Sequence, residues 1–160
     1  MKDNYNLTIE KGISHDIIYD VVNWLYQYFS NHIGYKEFAL IVLSNTNWEI
    51  SAMLTNDYGD LYGVYLLGDA QVPIDKLCLN KYANLKGVEG IALAIDSSIR
   101  GLGYGNLLKD YPKSLGIDYV WGQQLKSLNN LDMWLKRRKL VGVTDYTYIT
   151  LEEYDRTKTL

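Results

Sequence analysis

Arg100, Gly101, Gly103 and Gly105 stand together in the stretch VEGIALAIDSSIRGLGYGNLL, residues 88–108. An apolar segment leads into them and a helix-like segment leads out. Alternating glycines at such a junction present backbone N–H groups and a helix N-terminus to an anion. A dinucleotide-binding turn needs G-x-G-x-x-G, which glycines at 101, 103 and 105 do not provide. A Walker loop ends in Gly-Lys-Ser/Thr, whereas Gly105 is followed by Asn106 and Leu107. The pattern that fits is R-x-x-G-x-G, from Arg100 to Gly105. The competing explanation is a turn whose glycines serve tight packing alone.

The elements around this turn follow from hydropathy patterning. Residues 88–95 predict a strand, apolar on both faces from Ile91 onward, as in the middle of a covered sheet. Residues 104–115 predict a helix, with Pro112 straining its last turn and Gly116 ending it. Residues 117–122 predict a strand, 128–140 an amphipathic helix begun by Asn129 or Asn130, and 144–151 a last strand. Upstream, a short strand is expected over 5–9. Ser14 is placed to cap an amphipathic helix over 15–32, and Gly34 to stop it. The apolar run 38–43 predicts a buried strand. Residues 48–55 and 61–67 predict two strands, joined as a hairpin by the turn residues NDYGD. Residues 74–79 predict a short strand or edge segment after Pro73, and 80–87 a loop. Helix, then strands, then alternating strands and helices make an α+β chain with a mixed sheet, a single domain over 1–160.

In its R-x-x-G-x-G turn the chain resembles the GCN5-related N-acetyltransferase (GNAT) superfamily. The strand ending in Leu93-Ala94-Ile95-Asp96, the strand DYVWG one helix later, and Asn129 or Asn130 before the helix of Met133, Trp134, Leu135 and Lys136 carry the likeness further. It covers residues 88–142. The resemblance implies a mostly antiparallel sheet flanked by helices, with a splay between its fourth and fifth strands. It implies acetyl-CoA as the acyl donor, its pyrophosphate held by Arg100, Gly101, Leu102, Gly103, Tyr104, Gly105 and Asn106. The pantetheine arm would pair with the backbone of Leu93, Ala94 and Ile95, and an N–H near Leu93 would polarise the acyl carbonyl.

Attack of an amine on a thioester requires a neutral amine, so a general base matters. By the same resemblance Glu89, six residues before Ile95, matches the strand glutamate that serves as base in the histone-acetylating branch. Its plain alternative is a paired or solvated charge at a strand start. Asn129 or Asn130 would bind the cofactor arm or a proton-carrying water, or else only cap the helix. Many relatives place a tyrosine acid on that helix; here Trp134 stands nearest, and an indole is no practical acid. Tyr104, Tyr119, Tyr146 and Tyr148 are substitutes that spacing does not rank.

Composition narrows the partners. The net charge of −3 opposes a general nucleic-acid role, although Lys136, Arg137, Arg138 and Lys139 form a local basic run. That run suits the helix C-terminus, a coenzyme 3′-phosphate or an acidic acceptor. A single cysteine, Cys78, leaves no internal disulfide and no Cys-based zinc site. His15 and His32, at opposite ends of the expected helix, share no metal site. No apolar run approaches the ~18–20 residues of a membrane span, and the first residues lack a signal-peptide pattern, so a cytoplasmic protein is expected. Exposed edges and 15 tyrosines suit a homodimer. The expected activity is acetyl transfer from acetyl-CoA to an amine acceptor. The alternatives are a lapsed coenzyme A-binding module and a relative that modifies nucleic acid.

Overall fold

The computed structural model describes residues 6–31, 33–70, 84 and 86–121. Among the described residues five strands form one sheet in the order of the chain: β1 (Thr8–Lys11), β2 (Ala52–Thr55), β3 (Leu61–Gly68), β4 (Gly87–Ile95) and β5 (Tyr119–Trp121). The β1–β2 and β2–β3 pairs are antiparallel, and β5 runs parallel to β4. The described residues also include the α-helices α1 (Ile18–Tyr26), α2 (Tyr35–Asn45) and α3 (Tyr104–Lys109). The chain divides into two compact units, Met1–Gly68 with Ile91–Tyr111, and Asp69–Gly90 with Pro112–Leu160. Strand β4 passes from one to the other. No helix among the described residues is long and apolar enough to cross a membrane.

In the first unit one core layer joins Val21, Val22 and Leu25 of α1 and Phe38 and Val42 of α2 to Met53, Val64, Leu66, Ala92 and Ala94 of the sheet. Val22, Leu25, Val64 and Leu66 are fully buried, each contributing about 1.5–3 kcal/mol from removal of apolar surface from water. A second cluster, Leu7, Leu54 and Ile99 with Ile95 and Tyr104, lies under the turn that leads into α3. The β2–β3 ladder shifts register between Leu54 and Thr55: Leu54 faces Gly63, and Thr55 faces Leu61. Tyr62 is the extra residue of this bulge. It joins the Leu54 cluster, while Leu61 packs on the α1–α2 side.

In the second unit the start of β4 is laced to β5. Lys86 donates its N–H to the Asp118 carboxylate at 2.8 Å, and its carbonyl accepts from the N–H of Asp118 at 2.7 Å. Gly87 then lies against the Tyr119 ring, where a β-carbon would collide. Trp121 donates its indole N–H to the Ala70 carbonyl at 2.8 Å.

The expected hairpin is present. Asn56 Oδ1 accepts from the N–H groups of Tyr58 and Asp60, both at 2.9 Å, which closes the turn. Ser14 caps as expected, its Oγ accepting from Asp16 N–H at 3.3 Å. Five expectations are corrected. The run 38–43 is helical, inside α2, because Phe38 and Val42 fall four residues apart and share one buried face, leaving Leu40, Ile41 and Leu43 exposed. Gly34 is the extended residue that starts α2, not the stop of the helix before it. That helix ends at Tyr26, where the N–H groups of Tyr28 and Phe29 turn to carbonyls three residues back and Gln27 Nε2 takes the Trp24 carbonyl at 2.7 Å. The helix expected over 104–115 stops at Lys109, and a 3-10 turn, Tyr111–Leu115, replaces its second half around Pro112, which has no N–H to give. The strand expected over 48–55 keeps only its last four residues. The segment 74–79, the helix 128–140 and the strand 144–151 lie outside the described residues, as do Cys78 and His32.

Candidate functional site

Strand β4 ends on an apolar step into a tight turn. Asp96 caps a 3-10 turn, Ser97–Ile99, accepting from the N–H of Ser98 at 2.9 Å and from its hydroxyl at 2.6 Å. Ile99 is fully buried and pins this turn onto Leu7 and Leu54. Arg100 follows, and the chain then reverses through Gly101 and Gly103, whose φ values of 83° and 93° lie in the left-handed region that favours glycine. Gly103 is the N-cap of α3 and accepts from Leu107 N–H at 3.2 Å.

This geometry leaves donors free. The first N–H groups of any helix have no carbonyl within it. Here those of Gly103, Tyr104, Gly105 and Asn106 find no acceptor among the described residues. A β-carbon on Gly101, Gly103 or Gly105 would meet nothing within 4 Å, so the turn is open above its backbone. Tyr104 is half-buried and packs on the Leu54 cluster, anchoring the helix start, while Leu102 and Asn106 are exposed.

Arg100 lies beside this turn on the edge of β4. Asp96 N–H donates to the Tyr62 carbonyl of β3 at 2.8 Å. The peptide between Ile95 and Asp96 is planar and trans, so the Ile95 carbonyl points the other way, off the edge opposite β3. Nε and Nη2 of Arg100 both donate to that oxygen at 3.3 Å. Strand alternation puts the N–H and carbonyl of Leu93 on the same edge. The guanidinium carbon of Arg100 also stands 5.9 Å from the centre of the Tyr28 ring. Tyr28 leans in turn against Trp24, with ring centres 5.1 Å apart.

The charges at this end of β4 affect one another. Burial raises the Tyr28 hydroxyl pKa, and the Asp96 carboxylate adds to the rise, while Arg100 offsets part of it. The Asp96 carboxyl is held below its ordinary value, first by the Ser98 hydroxyl and then by the Ser98 N–H, with Arg100 assisting against a small effect of burial.

Of the predicted residues, Leu93, Ala94, Ile95, Arg100, Gly101, Leu102, Gly103, Tyr104, Gly105 and Asn106 follow one another along β4, the turn and α3, all in the first unit. Glu89 is on the opening part of β4, where burial raises its carboxyl pKa. Asn129, Asn130 and Trp134 lie outside the described residues. Two neighbours of the turn were missed. The sequence D-S-S after an apolar run was a capping signal that could have marked Asp96. Tyr28 had no such signal, because only the folded chain brings it to Arg100. Among the described residues no group of three His, Cys, Asp or Glu side chains could hold a metal ion.

No family model matches the chain, and no curated protein matches it in sequence. Solved structures do resemble it. A Pyrococcus furiosus protein assigned as an acetyltransferase superposes with a TM-score of 0.56 at 16% identity, over 82% of this chain and 91% of that one. A looser likeness joins it to a protein assigned as a phosphinothricin N-acetyltransferase (TM-score 0.48, 18% identity, 83% of this chain and 80% of that one). Another is to the N-acetylglutamate synthase of Neisseria gonorrhoeae, solved with coenzyme A and N-acetylglutamate (TM-score 0.46, 21% identity, 85% of this chain but 28% of that one). The chain thus shares the fold of the Pyrococcus furiosus protein, and its strand order, its parallel β4–β5 pair and its helices match the mixed, mostly antiparallel sheet that the resemblance to the GCN5-related N-acetyltransferase superfamily implied.

Proposed function

We propose that the protein is an N-acyltransferase that carries an acetyl group from acetyl-CoA to an amine. One observation carries this reading: after β4, the left-handed Gly101–Gly103 turn leads into four consecutive N–H groups, Gly103 to Asn106, without an acceptor among the described residues. Convergent N–H groups at a helix start suit a pyrophosphate, and the open space above the three glycines suits its approach.

Acetyl-CoA supplies a thioester carbonyl and a thiolate leaving group. The chain's residues do the rest. Gly101 to Asn106 bind the pyrophosphate with their backbone, and Arg100 adds positive charge. The edge groups of Leu93 and the N–H of Ile95 pair with the pantetheine arm, and Ala94 between them anchors the strand in the core. The Leu93 N–H polarises the acyl carbonyl. Glu89, its basicity raised by burial, takes the proton the amine loses as the amide bond forms and the carbon–sulfur bond breaks. Asn129 or Asn130 steadies the arm or a proton-carrying water.

Titration calorimetry with acetyl-CoA, followed by a panel of amines, tests the reading. Binding together with transfer to at least one amine is expected, and Glu89→Gln should slow transfer by roughly 10²- to 10⁴-fold. Absence of any heat of coenzyme binding would remove the proposal. Trp134, standing where a tyrosine acid is common, favours a second reading as a coenzyme A-binding module without catalysis. Binding without transfer across the whole panel would select it.

A further inference from the structure

Tyr28, two residues beyond the end of α1, brings one aromatic ring to Arg100 at the start of the glycine turn. Tyr28 is half-buried, fixed on one side by Trp24, and carries the Arg100 guanidinium over its face at 5.9 Å. Arginine side chains have many rotamers, and an exposed one lies idle in most of them. Arg100 is exposed, yet two independent features restrain it: the Tyr28 ring and the outward carbonyl of Ile95, which takes both Nε and Nη2. The carbonyl lies on the edge of β4, five residues before Arg100.

We propose that Tyr28 is a positioning residue for coenzyme binding: its ring holds the Arg100 guanidinium at the end of β4, so that an arriving pyrophosphate meets a cation already in place. The inference rests on the coenzyme reading above. The role belongs to the ring and not the hydroxyl, because attraction of a guanidinium to an aromatic face needs no phenol oxygen. An exposed guanidinium–ring contact corresponds to about a two- to five-fold change in an equilibrium constant.

The test is a double-mutant cycle read by coenzyme A affinity in the full chain. Tyr28→Leu should weaken coenzyme A binding about two- to five-fold, while Tyr28→Phe should bind like the parent. In an Arg100→Gln background, Tyr28→Leu should have no further effect, because its contribution runs through the guanidinium. A merely structural role for Tyr28 would lower affinity in both backgrounds. Equal losses in both backgrounds, or a loss in Tyr28→Phe as large as in Tyr28→Leu, would overturn the inference. Should the parent bind no coenzyme A, the function proposal fails first. Should the parent bind and Tyr28→Leu bind equally well, only the role of Tyr28 fails.

Discussion

Leu108, fully buried on α3, lies so close over Gly63 of β3 that a β-carbon on Gly63 would stand 3.2 Å from its Cδ2. The same carbon would meet Ile95 Cδ1 at 3.1 Å and the Leu54 Cβ at 3.2 Å. The helix that follows the glycine turn is therefore seated on a bare patch of the sheet. Gly63→Val would lift α3 or force Leu108 off its rotamer, costing about 1–3 kcal/mol from overpacking. Thermal denaturation checks the stability loss. Because the turn is tied to α3, coenzyme A affinity should fall with it, and an unchanged affinity would separate the seat from the site.

The turn glycines allow a sharper separation of strain from function. Gly101 and Gly103 have φ of 83° and 93° with open space around each, so a methyl group there meets no neighbour and its cost is backbone strain alone. Gly101→Ala and Gly103→Ala should each lose about 1–2 kcal/mol of stability. Gly116, at φ 72° and equally open, should lose a similar amount on substitution by alanine. Gly103→Asp adds a carboxylate among the free N–H groups and should lower coenzyme A affinity more than ten-fold, by like-charge repulsion. Gly116→Ala should leave that affinity unchanged. If Gly103→Asp and Gly116→Ala affected binding equally, the turn would not be the anion site.

Most of this turn was legible because its signals are local. An arginine, three glycines and a strand-to-helix change in periodicity occupy a few consecutive residues. The strands 61–67 and 88–95 were legible for the same reason, as was the cap at Ser14. The run 38–43 was not. Six apolar residues in a row carry no phase, and a buried strand and a two-turn helix look alike until one knows which side is covered. Phe38 and Val42 are covered, Leu40 and Leu43 are not, and that difference comes from α1 and the sheet. Tyr28 was hidden by distance: it lies beyond the end of α1, and its contact with Arg100 depends on tertiary structure. Nothing in the strand 61–67 marked Gly63, and only the overlying Leu108 explains it.

Ser51 tests the frame that carries this sheet. It is fully buried, its hydroxyl donates to the Asn47 carbonyl at 2.8 Å, and its oxygen accepts from Leu67 N–H at 3.0 Å. It thereby joins the turn before β2 to the end of β3. Ser51→Ala leaves the Leu67 donor buried without this partner, a loss of about 1–3 kcal/mol. Chemical denaturation reads it directly. A Ser51→Ala protein as stable as the parent would mean that the Leu67 N–H finds another acceptor.

Glu89 gives a prediction in pH that needs no substrate. Burial raises its carboxyl pKa above the ordinary 4.5. The folded protein therefore keeps this proton to higher pH than the unfolded chain does. Well below pH 4.5 both states are protonated and the residue has no effect on stability through ionisation. As pH rises past that point the unfolded chain ionises first and is favoured, so the folded state loses stability until its own carboxyl ionises. Glu89→Gln removes the loss. The variant should unfold at a higher temperature than the parent at pH 7, and the gap should shrink and close as the pH falls below about 4. A gap independent of pH would show that glutamine acts by packing. A parent more stable than the variant at pH 7 would mean that the carboxylate has a favourable partner in the folded protein, which would also lower its value as a base. Activity should follow the same group, with transfer lost on the acid side as the folded carboxyl takes up its proton, and with that limb absent from the residual rate of Glu89→Gln.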